Sequence, residues 1–171
     1  MGTIRAVGAV VLGLVVLGGC AGPGPVVDRR PEAVVRGESV RGLPVGAEWR
    51  ELEGSFSEDF RAAVAAARKV QERQRAEHPD EKPDWIEGDF FGSLFEGPDW
   101  HRVGGAVVDG EGRAEVSVAC SHSEGGSTVR WSDKFVLVRE AGAWRIDDVE
   151  FGGTWDFAAK GSLKEALRAG D

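Results

Sequence analysis

The sequence predicts an α+β domain in which a long N-terminal helix packs on a curved, cone-like antiparallel sheet of four strands, followed by a short C-terminal helix. Two observations predict this class. Apolar residues recur at helical spacing between residues 60 and 71. Beyond residue 100, alternating apolar stretches are separated by glycine-containing turns. A helix followed by a run of strands is typical of α+β layers, and we assign the domain to residues 49–171.

The long helix is expected to begin after Ser57, whose hydroxyl can accept a hydrogen bond from an amide of the first turn. It should end near Glu77, because Pro79 disfavours its continuation. A shorter helical turn is predicted over residues 89–96, where apolar residues form i,i+4 pairs. Near the carboxyl end, Ser162 can cap the short helix.

Four strands are predicted, over residues 102–108, 113–121, 129–140 and 144–151. The third should be central, because residues 135–138 are apolar on both faces. The fourth changes phase: Trp144 and Ile146 alternate with one parity, and Val149 and Phe151 with the other. Either a bulge near residues 147–148 or burial of both faces explains this change.

The first twenty residues indicate export. Arg5 precedes twelve residues without charge, too few to span a bilayer comfortably, and this arrangement is typical of a secretion signal. The run ends in Leu17-Gly18-Gly19-Cys20, which resembles the lipobox of bacterial lipoproteins. The resemblance implies cleavage after residue 19, acylation of Cys20 (palmitate among the chains) and an extracytoplasmic, membrane-anchored protein. Because Ala21 follows, the outer membrane is expected if the organism has one.

Residues 20–48 are predicted to be a tether, since they contain glycines and prolines and their charges cancel. The valine pairs at 26–27 and 34–35 could instead add an edge strand. We therefore expect a signal segment (1–19) that is removed, and a mature protein that consists of a tether (20–48) and one domain (49–171).

Composition excludes several classes of function. A net charge of −8 argues against binding nucleic acid, because an acidic chain repels phosphate. Two cysteines are too few for a disulfide scaffold, and no metal-ligand spacing occurs, so neither metal nor cofactor is predicted. Acidic residues concentrate between residues 78 and 112, and they serve either solubility or a basic partner or cation. The acidic flank is Glu81, Asp84, Glu87 and Asp89.

The sequence offers only weak candidates for catalytic or binding residues. Asp147 and Asp148 could include a general acid or base with a raised pKa, and His101 could be its partner. The alternative is that these carboxylates pair with arginines or cap a turn. Aromatic side chains could line a cavity or its rim, or they could fill the core; the candidates are Phe91, Phe95, Trp100, Trp131 and Trp144. Cys120 is expected to be buried and inert.

Four stretches of the domain, residues 89–97, 129–133, 144–153 and 161–163, resemble a family of bacterial lipoproteins that carry a domain of unknown function. Such domains are similar to the nuclear transport factor 2-like (cystatin-like) superfamily, whose curved sheet wraps a helix into a cone. That superfamily contains enzymes, binding modules and immunity proteins, so the resemblance implies a fold and no particular activity.

The leading interpretation is a lipid-anchored binding or interaction module without covalent chemistry, with an unknown protein or small ligand as its partner. One alternative is a small hydrolase or isomerase that uses an Asp–His pair in the cone. Another is an immunity-type protein that blocks an envelope toxin through its surface.

Overall fold

A computed structural model describes residues 31–35, 42–83 and 88–169. Over these residues the chain is α+β, with a four-stranded antiparallel sheet and a few helices, so the predicted fold class is confirmed at that level. The predicted signal segment, Cys20 of the lipobox-like stretch and most of the predicted tether lie outside the described residues. So do Asp84 and Glu87 of the acidic flank.

Three α-helices are present: α1 (Gly46–Leu52), α2 (Glu58–Glu77) and α3 (Leu163–Arg168). Short 3₁₀ turns occupy Pro31–Ala33 and Glu53–Ser55. The Ser57 hydroxyl accepts a hydrogen bond from the Phe60 amide at 3.0 Å, at the position where the sequence places a cap for α2. At α3 the predicted Ser162 cap forms a reciprocal capping box with Glu165.

The strands are β1 (Trp100–Val108), β2 (Arg113–Glu124), β3 (Ser127–Glu140) and β4 (Ala143–Glu150), and they pair in the order β1-β2-β3-β4. The predicted meander is confirmed, with β3 inside the sheet. In β4, Ile146 pairs with Leu137 while Asp148 pairs with Val136, so Asp147 is an extra residue. This bulge keeps Ile146 and Val149 buried on one side, which confirms the bulge interpretation of the phase change.

The core lies between the sheet and the helices. It contains Phe60 and Val64 of α2, Val116 and Leu137 of the sheet, and Leu167 of α3, none of them measurably exposed. The free edge of β4 is covered, because the Ser57 amide donates to the Ile146 carbonyl at 2.8 Å and the Phe151 amide to the Gly161 carbonyl at 3.0 Å. The outer edge of β1 is exposed along most of its length.

The short helix predicted over residues 89–96 is wrong. Asp89 forms a local turn, in which its Oδ1 accepts from the Phe91 amide at 2.9 Å. The Ser93 amide donates to the Asp133 carboxylate at 3.1 Å rather than to a carbonyl of its own segment. These side-chain hydrogen bonds compete with a helical turn, while Phe90 and Leu94 still reach the core.

Described parts of the predicted tether pack on the domain. Val35 and Leu43 belong to the hydrophobic core. Val34 lies in a turn, where its amide donates to the Pro31 carbonyl at 3.0 Å, so residues 34–35 do not form the edge strand that we considered. Arg68 of α2 lies 4.4 Å above the Trp49 ring and donates to the Pro44 carbonyl. The folded unit therefore includes residues on the amino side of position 49.

Candidate functional site

The most concentrated polar site in the described interior is a carboxylate. Asp133, on β3, is 2% exposed. Its Oδ1 accepts from the Ser93 hydroxyl and from the Gly152 amide at 2.9 Å, and its Oδ2 from the Ser93 amide at 3.1 Å and from Trp131 Nε1 at 2.8 Å. A buried charge needs such compensation, because losing water is costly unless hydrogen bonds replace it. We call Ser93, Trp131, Asp133, Gly152 and Gly153 the Asp133 cluster.

Two glycines allow the chain after β4 to approach this cluster. A Cβ on Gly152 would lie 1.9 Å from the Ser132 carbonyl oxygen, and one on Gly153 would lie 2.6 Å from the Ala158 Cβ. The Gly153 amide donates to the Ser93 hydroxyl at 3.0 Å, so Ser93 is both donor and acceptor. Three segments that are distant in the sequence thus meet at one carboxylate.

The centre of the Asp133 cluster is closed to solvent: Ser93, Asp133 and Gly153 are buried, whereas Gly152 is exposed. Ser93 is 1% exposed, Trp131 packs edge-on against Trp155 at 5.4 Å, and every oxygen of the carboxylate is engaged. A nucleophile or base must reach a substrate atom at hydrogen-bond distance. The arrangement instead joins the loop before β1, the middle of β3 and the loop after β4.

The two aspartates proposed as acid–base candidates bind structural partners. Asp147 accepts from the Ser57 hydroxyl at 2.6 Å and from Lys164 Nζ at 2.7 Å. Asp148 accepts from the Lys164 amide at 2.9 Å, at the first turn of α3, where a carboxylate is favourable. Both therefore fix α3 to the sheet, as the alternative interpretation held, although the cation is a lysine rather than an arginine.

Lys164 also pairs with Asp59 at 2.8 Å, which links α2 to α3. Burial by itself would lower the pKa of Lys164, but the hydrogen bonds to Asp147 and Asp59 raise it overall. The hydrogen bond from Lys164 holds the pKa of Asp59 below its ordinary value. Lys164 and Asp59 therefore stay charged at neutral pH, which suits their ion pair.

His101 does not lie near Asp147 or Asp148. It lies on β1, at one edge of the sheet, while Asp147 and Asp148 lie on β4 at the other. Three inter-strand spacings, about 14 Å, separate the two strands. The proposed Asp–His pair is therefore not formed in this structure.

The five aromatic candidates do not gather around one cavity. Trp131 and Trp144 are core residues, each 7% exposed, and Phe91 stacks between Phe56 and Phe135 at 5.8 and 6.3 Å. Phe95 and Trp100 are exposed by more than half. The core interpretation therefore holds for three of the candidates, and Trp100 remains as a surface aromatic.

Cys120 is buried on the core face of β2. Burial, with the carboxylates of Asp133 and Asp89, raises the pKa of its thiol to about 12. The thiol is therefore protonated at neutral pH and a poor nucleophile, which supports the prediction of an inert residue.

Only two members of the acidic flank are described, Glu81 and Asp89. Glu81 is exposed near His78, at 4.0 Å, beside a polar depression of about 310 Å³ at the end of α2. Asp89 is partly buried in its turn. The two side chains therefore lie in different environments. Among the described residues, no group of histidines, cysteines and carboxylates is placed to hold a metal ion.

Sequence reasoning missed Asp133. The signal was present: Trp131, Asp133 and Phe135 alternate on one strand, so an aspartate falls in a row of large apolar side chains that must face the core. The partners, 40 and 19 residues away in the chain, could not be found by spacing.

A search of protein-family models and a search of curated proteins found no match to the chain. In the part of the chain that the structure describes, no helix is long and apolar enough to cross a membrane.

Proposed function

We propose that this protein is a lipid-anchored module of the cell envelope that binds a partner through its surface and performs no covalent chemistry. The single observation that supports this most is the closure of the Asp133 cluster. The most concentrated polar group in the described interior is used to join three segments, and the two candidate acid–base aspartates are used to fix α3. What the domain offers to a partner is its surface.

We further propose that the domain adopts the cone of the nuclear transport factor 2-like superfamily, with α2 packed on the concave face of the sheet. Two irregularities support the necessary curvature. The register shifts between Val103 and Ala106 in β1, and again at Asp147 in β4. Bulges bend a strand and increase its twist.

The anchor is the thioether on Cys20, and it places the domain outside the cytoplasm. Each buried methylene of an acyl chain contributes about 0.8 kcal/mol, so two or three chains hold the protein durably. Pro31 follows Cys20 by eleven residues, and a chain of that length reaches at most about 35–40 Å.

Metabolic labelling with palmitate tests the anchor. The wild-type protein should incorporate label and fractionate with membranes, whereas Cys20→Ser should do neither, because the thioether needs the cysteine sulfur. Cys120→Ser is the matched control, since that thiol is buried, and it should label like the wild type. An unlabelled wild-type protein would overturn the proposed anchoring.

A further inference from the structure

The solvent-facing side of the sheet is divided into two halves. In the half nearer the β1–β2 turn, cations and carboxylates neutralise one another. Lys134 lies 3.3 Å from Glu115 and 3.1 Å from Glu150, and Arg113 lies 3.7 and 3.8 Å from the same two carboxylates. The hydrogen bonds to Glu150 and Glu115 raise the pKa of Lys134. The two cations and two carboxylates of this half are therefore all paired with one another.

In the other half, as far as the described residues show, the cations are not paired with carboxylates. Strand pairing places Trp100, Ser121 and Arg130 in one row across β1, β2 and β3, and Arg102, Ala119 and Ser132 in the next. We call these six residues the Trp100 patch. Trp100 is 51% exposed and both arginines are exposed. Within the described ranges, neither arginine forms an ion pair or hydrogen bond, although the protein carries 29 acidic residues.

Asp99, the carboxylate that precedes the patch in the chain, already binds other partners. Asp99 accepts a hydrogen bond from the Ser123 amide at 2.6 Å and lies 3.0 Å from His122 Nδ1. It therefore holds the start of β1 against the end of β2. The two arginines keep their charge available to a ligand.

The spacing of the Trp100 patch suits a ring that bears a carboxylate. Trp100 and Arg102 alternate on one face, about 6.7 Å apart, and Arg130 lies two strands from Trp100, about 9.6 Å. Between them the floor consists of small side chains, Ser121, Ala119 and Ser132. An indole face can stack on an apolar ring face, and a guanidinium can bind a carboxylate in bidentate geometry.

We propose that the Trp100 patch binds an acidic saccharide, with a sugar ring on the Trp100 indole and its carboxylate on Arg102 or Arg130. The proposal rests on the proposed function as a binding module and names the class of its ligand. The small side chains of the floor, Ser121, Ala119 and Ser132, offer the large apolar side chains of a peptide little to pack against.

The experiment titrates the mature protein, in detergent, with trigalacturonic acid by calorimetry and by amide and indole NMR shifts. The wild type should bind the acidic trisaccharide at least about tenfold more tightly than a neutral trisaccharide of galactose. Trp100→Ala and the double variant Arg102→Ala, Arg130→Ala should each weaken binding by about tenfold or more. Raising the salt concentration should weaken binding to the wild type.

Arg61→Ala with Arg73→Ala is the matched control. It removes the same charge from exposed positions on α2 and should leave the affinity unchanged. The proposal is overturned if the wild type does not bind, if the control loses as much affinity as the patch variant, or if a peptide of three glutamates binds as tightly. Since the probe is soluble, these outcomes are independent of acylation, and a failure of palmitate labelling would not alter them.

Discussion

Replacing Asp133 with alanine is expected to lower the free energy of unfolding by about 3–5 kcal/mol, because removal of a buried, fully hydrogen-bonded carboxylate leaves its donors unsatisfied. Four donors would lose their acceptor: the Ser93 amide and hydroxyl, the Trp131 indole and the Gly152 amide. Urea unfolding followed by tryptophan fluorescence measures the loss.

Asp156→Ala is the matched control for this variant, since Asp156 is exposed in the neighbouring loop and should change stability by no more than about 0.5 kcal/mol. Asp133→Asn keeps one acceptor oxygen and should fall between the two, which leaves a measurable variant if the alanine chain does not fold. A loss below about 1 kcal/mol for Asp133→Ala would contradict the structural role of the cluster.

Replacing Gly152 with alanine is expected to cost about 3 kcal/mol or more, since overpacking against an element that cannot move is strongly destabilising. The added Cβ would lie 1.9 Å from the Ser132 carbonyl oxygen, which belongs to β3 and is fixed by the sheet. The chain after β4 would have to withdraw, and the Gly152 amide would lose Asp133.

Gly105→Ala provides the comparison for this second change, because a Cβ there would meet nothing within 4 Å. Thermal unfolding of the two variants should show a large decrease in midpoint for Gly152→Ala and a small change for Gly105→Ala. Equal midpoints would mean that the approach of residue 152 to β3 is looser than the structure has it.

The sheet was predictable because apolar and polar residues alternate within each strand, and this alternation is visible in the sequence. The opposite parities of Ile146 and Val149 even indicated the extra residue in β4, since two buried residues three apart cannot share a regular strand face. Residues 89–96 were mispredicted because their apolar spacing suits a helix, while the hydrogen bond that decides the structure comes from Asp133, a distant residue.

The site was harder to predict for the same reason. Asp147 and Asp148 attracted attention as adjacent carboxylates, but their roles depend on Lys164 and Ser57, which no local pattern connects to them. The Trp100 patch depends on register: only the pairing of β1, β2 and β3 shows that Trp100 and Arg130 share a row.

Amide hydrogen exchange of Ser93 and Gly153 in the wild-type protein tests most directly the claim that the interior cluster holds the fold and is closed to ligands. The Ser93 amide donates to Asp133 and the Gly153 amide to the Ser93 hydroxyl, and both hydrogen bonds are buried. If the cluster is closed, they exchange only when the whole domain unfolds, with an opening free energy equal to the global value from urea unfolding. Exchange at rates near those of exposed loop amides would show that the cluster opens to solvent and could admit a substrate, which would contradict the proposed function.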